Sequence, residues 1–183
     1  MRLDDLNALD PAAAALELRR CCGSERWARE MAMKRPWPDV DALAVDADVI
    51  WRRLAEVDHL QAFDAHPRIG SGAEAGGSAA SGERRTGERS WSAQEQSRVA
   101  AASDEVRDRL AAANDEYLAR FGFIFIVCAT GKSAEEMLAM VDERLTHSRM
   151  EELQIAADEQ GKIMQLRLRK LVSSEDAGKS ILK

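Results

Sequence analysis

The sequence has little cysteine, proline or aromatic content, and it contains no long hydrophobic run. Its three cysteines are odd in number and two of them, Cys21 and Cys22, are adjacent, so the pattern does not indicate a disulfide framework and suits a reducing compartment. A chain without an apolar stretch of about 18 residues has no predicted transmembrane helix, and without a hydrophobic N-terminal stretch it has no predicted signal peptide. We therefore expect a soluble protein of the cytoplasm.

The sequence also lacks any block of basic residues. Lysine and arginine together number 26 against 32 aspartate and glutamate residues, which gives a net charge of -6. This balance argues against binding to nucleic acid or to an anionic membrane surface. Histidine is scarce too: His59, His66 and His147 are the three present, and none lies four residues from another, so we expect no metal site. We expect His59 and His147 to point into solvent.

Apolar residues recur at helical spacing along almost the whole chain, and alanine is abundant. This periodicity predicts an all-α fold, a bundle of about seven to nine helices with a long C-terminal helix. Capping residues and prolines predict where the helices begin and end. In the first half they predict helices from Asp10–Pro11 to about Cys22, from Ser24 to the RPWP break, over Asp39–Val57 in one or two pieces, and from Asp58 for one turn. In the second half they predict helices that begin at Ser92, Ser103 and Ser133, and a last helix over about Met150–Val172. The apolar side of the last helix is expected to carry Leu153, Ile155, Ile163, Leu166 and Leu171.

Two stretches depart from the helical pattern. Residues Phe123–Cys128, FIFIVC, have the composition of a strand, but no second strand is evident to pair with them, so we expect a buried irregular or extended segment. Residues 71–90 are rich in glycine, serine and charge and are predicted to form a flexible loop. Since neither half of the chain is expected to stand alone, residues 1–183 are predicted to form one domain that contains this loop.

Local motifs point to three candidate site features. His66 precedes Pro67, whose ring disfavours a helical conformation for the residue before it, so the imidazole is expected at a helix end, held by a stiff turn. Ser92 and Glu95 form a capping box, and a carboxylate in a first turn is also well placed for proton chemistry if it faces a cleft. Arg167 lies between two leucines of the last helix and could border its apolar face.

The ATGKS stretch at Ala129–Ser133 is similar to the end of a phosphate-binding P-loop. That motif needs a glycine five residues before Gly131, and this sequence has Ile126 there. The stretch is therefore interpreted as a helix C-terminus followed by a helix N-cap. No bound nucleotide is predicted.

Taken in order, several longer stretches resemble one family. HPRIG, WSAQEQS, YLARFGFIFIV, EEMLAMVDERL and EELQIAADEQGKIMQLRL, preceded by ERWAREMAMKRPW, are similar to the 2-oxo-4-hydroxy-4-carboxy-5-ureidoimidazoline (OHCU) decarboxylases of uric acid degradation. The resemblance covers about Leu6–Leu171, apart from residues 71–90. It implies an all-helical enzyme, a homodimer without metal or organic cofactor, that converts OHCU to (S)-allantoin and carbon dioxide. It also implies functional coupling to urate oxidase and hydroxyisourate hydrolase, which act before it.

The resemblance also implies which residues form the site. The essential histidine of the family corresponds to His66, the expected general acid or base, and the glutamate of its Ser-x-x-Glu-Gln motif corresponds to Glu95, the second expected catalytic residue. The expected substrate-binding residues are Pro67, Ser92, Gln96, Phe123, Ile124, Phe125, Ile126 and Arg167. The sequence departs from the family at Trp37, where phenylalanine is usual, and at Thr146–His147, where an asparagine is common. Both departures are expected to be packing or surface changes.

Three other functions stay open at this point. A catalytically silent helical protein of this family could serve in association with neighbouring pathway enzymes, although the presence of His66, Glu95 and Arg167 argues against it. A family-like enzyme could act on a related ureido or imidazoline acid, because residues outside these motifs would set the choice of substrate. A plain helical interaction module with a misleading resemblance is the third, and it predicts that a substitution of His66 affects only a surface loop.

Overall fold

The computed structural model describes residues 1–67 and 103–173. Within these residues the chain forms eight α-helices and no β-strand. In chain order they are α1 (Leu3–Ala8), α2 (Pro11–Cys22), α3 (Glu25–Ala32), α4 (Val40–Arg52), α5 (Glu56–Asp64), α6 (Asp104–Phe121), α7 (Ala134–Arg144) and α8 (Arg149–Ser173). The predicted all-α fold with a long C-terminal helix is confirmed. The predicted loop at 71–90 and the predicted helix from Ser92 lie outside the described residues.

Most helices begin where a capping side chain predicts a boundary. The Asp10 carboxylate accepts hydrogen bonds from the backbone N–H groups of the first turn of α2, and Ser24 and Ser103 do the same for α3 and α6. Ser133 and Glu136 form the predicted capping box of α7, in which each side chain accepts from the other residue's backbone N–H. These caps work locally, which explains why sequence alone locates them.

Two boundaries in the first half differ from the prediction. The helical stretch predicted over Asp39–Val57 ends at Arg52, and the next helix begins at Glu56, so the two-piece alternative is the correct one. Asp58 does not start a helix; it lies in the first turn of α5 and its carboxylate accepts from the backbone N–H of Ala55 at 3.2 Å. The short helix α1 was not predicted, because its six residues are too few to show a clear apolar period.

The described residues group into two compact units. Met1–Ala62 and the described residues from Gly161 to Ser173 form the first unit. Within it α2 packs on α3 and α3 packs on α4. Trp27 is fully buried, and its indole N–H donates to the carbonyl oxygen of Ala47 at 3.1 Å, which satisfies the polar atom of a large apolar side chain. Trp37 is buried too, as expected of a packing change at that position.

Phe63–Gln160 form the second unit. In its described part α6 packs on α7, and buried aromatic side chains fill the core. Tyr117 is central to them, because its ring lies 4.6 Å from that of Phe121 and 5.4 Å from that of Phe125, both edge to face. The organisation of residues 1–183 as one domain stays a prediction.

The long helix α8 buries a different set of side chains from the predicted one. Ile163 and Leu171 are buried as expected, but Leu166 exposes 38% of its surface and neither Leu153 nor Ile155 is fully buried. The buried side instead includes four polar residues: Glu152, Glu159, Gln160 and Arg167. The prediction followed hydropathy, whereas a charged group can be buried once it is paired or hydrogen-bonded. These buried polar residues are the positions of α8 that have a role in addition to packing.

Candidate active site

His66 lies in the turn that follows α5. Its backbone N–H donates to the carbonyl oxygen of Phe63 at 3.0 Å, which closes the turn, and Pro67 then prevents a return to helix. The His66 side chain is half-buried, and Pro67 is exposed. The turn is fixed from the inside by Phe63, which is fully buried and packs against Phe123 with 5.5 Å between ring centroids. The predicted placement of His66 at a helix end is therefore confirmed.

The segment Phe123–Cys128 begins directly after α6. Gly122 ends that helix in a left-handed conformation, with φ of 81°, which redirects the chain. Phe123 and Phe125 are buried, and both rings lie against Tyr117, while Ile124 between them is only half-buried. From Phe125 to Cys128 every residue is buried. The segment has no regular secondary structure and no paired strand among the described residues, so the predicted buried, irregular or extended segment is confirmed.

Side chains from α7, from α8 and from the turn before α7 bind the backbone of this segment. The guanidinium of Arg144 donates from Nη1 to the carbonyl oxygen of Ile126 at 2.8 Å. The carboxylate of Glu159 accepts from the backbone N–H of Cys128 at 2.6 Å, and the Lys132 ammonium donates to the carbonyl oxygen of the same residue at 2.8 Å. These side chains supply the hydrogen bonds that a neighbouring strand would otherwise provide.

Arg144 belongs to a buried polar group, here named the Arg144 cluster, which also contains Tyr117, His147 and Glu152. Arg144 donates from Nε to the Glu152 carboxylate at 2.8 Å and from Nη2 to the Tyr117 hydroxyl at 3.0 Å. The Tyr117 hydroxyl donates to the same carboxylate, and the His147 Nδ1 lies 2.6 Å from its other oxygen. Arg144 exposes 4% of its surface and Glu152 none, so this ion pair is shielded from water.

The cluster corrects one expectation and was otherwise missed by sequence reasoning. His147 does not point freely into solvent but bonds to Glu152, and His59 likewise places Nε2 3.1 Å from the carbonyl oxygen of Trp51. A signal was present: Arg144 lies three residues after the buried Val141, so it falls on the apolar period of α7. A charged residue at an apolar position of the helical period indicates a buried, paired side chain. The period does not show which residue is its partner.

The ionisation of Tyr117 tests this geometry. Burial raises the pKa of Tyr117 well above its ordinary value of about 10, and the charge of Arg144 offsets this only in part. Because the folded pKa is the higher one, the Tyr117 contribution to the free energy of unfolding is complete below the unfolded pKa. It is lost as the pH rises from the unfolded pKa through the folded pKa.

Since Tyr117 is the single tyrosine of the chain, tyrosinate absorbance in the near ultraviolet reports on it alone. We expect almost no tyrosinate in the native protein at about one pH unit above the ordinary pKa, and a rise only as alkali unfolds the chain. Urea-unfolded protein, which should titrate normally, is the control. Half-ionisation at the ordinary pKa while the circular dichroism remains native would contradict the buried hydroxyl.

Arg167, the remaining described candidate, lies in the first unit. It exposes 6% of its surface, whereas the neighbouring Arg169 is exposed, so Arg167 is a buried guanidinium rather than a solvated one. Burial raises the pKa of the Cys21 thiol, and the positive charge of Arg167 opposes that shift, which places the guanidinium within electrostatic reach of Cys21. The other candidates, Ser92, Glu95 and Gln96, lie outside the described residues.

His66 and the Phe123–Ile126 segment lie in the same unit. The contact between the Phe63 and Phe123 rings joins the His66 turn to the start of the segment. Among residues 1–67 and 103–173, no group of three or more histidine, cysteine or acidic side chains could hold a metal ion. In the same part of the chain no helix has the length and apolar content needed to cross a membrane. The arrangement can transfer a proton at His66 and offer peptide groups to a polar ligand.

An all-helical protein that holds a half-buried histidine and a buried segment without regular secondary structure in one unit has features of an enzyme. Similarity to a known family identifies the kind of enzyme. The chain belongs to the OHCU decarboxylase family, whose model matches residues 7–169.

Individual relatives agree with this membership. The chain is 35% identical over 159 residues to the uric acid degradation bifunctional protein TTL of Arabidopsis thaliana, which covers 87% of the chain but 47% of the plant protein, so the chain spans about half of that relative. It is 27% identical over 175 residues to the OHCU decarboxylase of Haloferax volcanii, with 95% and 94% covered. A crystal structure of an OHCU decarboxylase in the presence of (S)-allantoin is 36% identical, with a TM-score of 0.72 over 86% of this chain and 98% of that one.

Proposed function

We propose that this protein catalyses the decarboxylation of OHCU to (S)-allantoin. The observation that carries the proposal is the His66 turn, which packs through Phe63 on the segment beginning at Phe123, in a chain of the OHCU decarboxylase family. A proton-transfer group and a set of peptide hydrogen-bonding groups are thus held in one unit. The solved relative whose crystal structure was determined in the presence of (S)-allantoin supports the same product.

The chemistry needs no electron sink other than the substrate. When the bond from the ring carbon to the carboxylate breaks, carbon dioxide leaves and the electron pair passes into the adjacent ring imine, whose nitrogen takes up a proton. The resulting enol loses its hydroxyl proton to become a carbonyl, while the neighbouring ring carbon gains a proton on one face. Proton transfer on a chosen face is therefore the task of the protein, and we propose that no metal or organic cofactor takes part.

Each candidate residue has a role in this scheme. His66 is the general acid or base, because an imidazole exchanges protons near neutral pH. Glu95 orients His66 or acts on the departing group, and Arg167 offers planar donors to a carbonyl or carboxylate of the ring. Pro67 stiffens the His66 turn at the edge of the substrate site. Substrate contacts are assigned to Ser92, Gln96 and the backbone of the segment that comprises Phe123, Ile124, Phe125 and Ile126.

The stereochemistry of the product tests the proposal. OHCU is generated in place from urate with urate oxidase and hydroxyisourate hydrolase, and the enantiomeric excess of allantoin is followed with and without the protein. We expect rapid formation of the (S) enantiomer with the protein and racemic product from spontaneous decay without it. Racemic product at the uncatalysed rate in both reactions would refute the proposed activity.

The partners and location follow the same proposal. We propose that the protein is a homodimer in the cytoplasm and that it works in sequence with the two enzymes that supply OHCU. Its net charge of -6 gives no basis for a nucleic acid or membrane partner. Light scattering on the purified protein measures the oligomeric state.

A further inference from the structure

We propose that Arg144 is a positioning residue for substrate binding: held by Glu152 and Tyr117, it fixes the peptide group of Ile126 and thereby the backbone to which the substrate binds. This inference rests on the proposed function, because it takes the Phe123–Ile126 segment to be a ligand-binding surface. Arg144 itself has no proposed contact with the substrate. Its action is through the backbone.

All three nitrogens of the guanidinium are committed in different directions. Nη1 donates to the Ile126 carbonyl oxygen at 2.8 Å, Nε to the Glu152 carboxylate at 2.8 Å, and Nη2 to the Tyr117 hydroxyl at 3.0 Å. The planar group also lies 4.7 Å from the ring centroid of Phe125, so its plane and its position are both fixed. Because all three nitrogens of the planar guanidinium form hydrogen bonds, the group holds the Ile126 carbonyl oxygen in one position.

Glu159 holds the same stretch of chain two residues further on. Its carboxylate accepts from the Cys128 N–H at 2.6 Å, while Arg144 donates to the Ile126 carbonyl. Arg144 on α7 and Glu159 on α8 therefore hold one carbonyl and one N–H of the same short stretch of chain. The remaining peptide groups of Phe123–Ile126 are the ones proposed to bind a ligand.

The segment needs such support because it has neither regular secondary structure nor a partner strand among the described residues. In a sheet the ladder of a neighbouring strand would fix the register and orientation of its peptide groups. Aromatic packing through Phe123 and Phe125 holds the segment against Tyr117 but does not set the orientation of its carbonyl groups. The Arg144 cluster supplies that orientation, at the cost of burying an ion pair.

Kinetics separate positioning from a merely structural role. Backbone groups that bind substrate do so in the ground state and the transition state alike, so displacing them raises KM and leaves kcat nearly unchanged. A variant that only destabilises the fold reduces the fraction of active molecules, which lowers the apparent kcat and leaves KM unchanged. Two mild substitutions are suitable: Arg144→Lys keeps the charge but loses the fork, and Tyr117→Phe removes only a hydroxyl.

We expect Arg144→Lys to raise KM for OHCU by about tenfold and Tyr117→Phe by about threefold, with kcat within about twofold of the wild type in both. The affinity for (S)-allantoin should fall in the same order. Leu110→Ala is the matched control, because Leu110 is fully buried on α6 and has no proposed part in binding. It should lower the melting temperature and leave KM at the wild-type value.

Two further outcomes are distinct. Wild-type KM and (S)-allantoin affinity in both variants, with only a lower melting temperature as in Leu110→Ala, would overturn the positioning role while leaving the proposed function intact. If the wild type produces racemic allantoin, the proposed function fails instead. In that case the NMR chemical shift of the Ile126 carbonyl carbon still reports on its contact with Arg144. If this chemical shift changes in Arg144→Lys but not in Leu110→Ala, the positioning of the Ile126 peptide group by Arg144 is supported, and an unchanged chemical shift refutes it.

Discussion

Replacement of His66 by alanine is expected to lower the rate of (S)-allantoin formation by at least about 100-fold, because general acid–base catalysis contributes roughly that much or more. Spontaneous decay of OHCU then sets the observed rate, so the product of the variant should be racemic. The fold should survive, since the turn is held by the backbone hydrogen bond to Phe63 and by Pro67 rather than by the imidazole. Glu95→Gln is expected to give a loss of the same kind.

His59→Ala is the matched control for this experiment. His59 is also half-buried and hydrogen-bonded, to the carbonyl oxygen of Trp51, but it lies outside the proposed site. It should keep both the rate and the enantiomeric excess of the wild type. A folded His66→Ala protein that still makes the (S) enantiomer at the wild-type rate would remove His66 from the mechanism. Circular dichroism and melting temperature establish that each variant is folded.

The second large effect is on stability. Arg144→Met is expected to lower the free energy of unfolding by about 3–5 kcal/mol, because it leaves the Glu152 carboxylate buried without its cation. Glu152 exposes none of its side chain, so water cannot replace the lost partner. The Ile126 carbonyl oxygen loses its donor as well. Urea unfolding followed by circular dichroism measures the change.

Replacing the three buried residues of the Arg144 cluster together should destabilise the protein less than replacing Arg144 alone. A triple variant with Tyr117→Phe, Arg144→Met and Glu152→Leu contains no unpaired buried charge, so it should recover much of the stability lost in Arg144→Met. Arg109→Met is the surface control, since Arg109 is exposed and lies 3.9 Å from an exposed Asp142 carboxylate; its effect should stay within about 0.5 kcal/mol. If Arg144→Met and Arg109→Met cost the same, the buried pair carries no special energy.

Much of the architecture was predictable because its determinants are local. The carboxylate of Asp10, the hydroxyl of Ser24 and the Ser133–Glu136 pair act within a single helical turn, so the sequence around them is enough to place a helix start. The turn at His66 is equally local, since Pro67 acts on the residue before it. Short helices such as α1 escape this reasoning, because a few residues cannot show a period.

The site is only partly local. The sequence offered His66 and the Phe123–Ile126 segment as candidate site residues, and it indicated that the segment is buried, irregular or extended, and without a strand partner. It did not identify the groups that hold the segment, because nothing close in sequence to Arg144 or Glu159 shows which backbone groups they bind. Hydropathy also misplaced the buried side of α8, where Leu166 is exposed and Glu152 is not. Whether a charged residue can be buried depends on its partner, and the periodicity of apolar residues does not show which residue that partner is.

By itself, then, the sequence determined the helical class, the main helix starts, the His66 turn and the family resemblance, all of which depend on residues close together or on ordered motifs. Only the tertiary structure decided that Tyr117, Arg144, His147 and Glu152 form one cluster, and that Arg144 also reaches the Ile126 carbonyl. These contacts join residues far apart along the chain. Which distant charges pair depends on how the helices pack, because a charge leaves water only where packing brings it a partner.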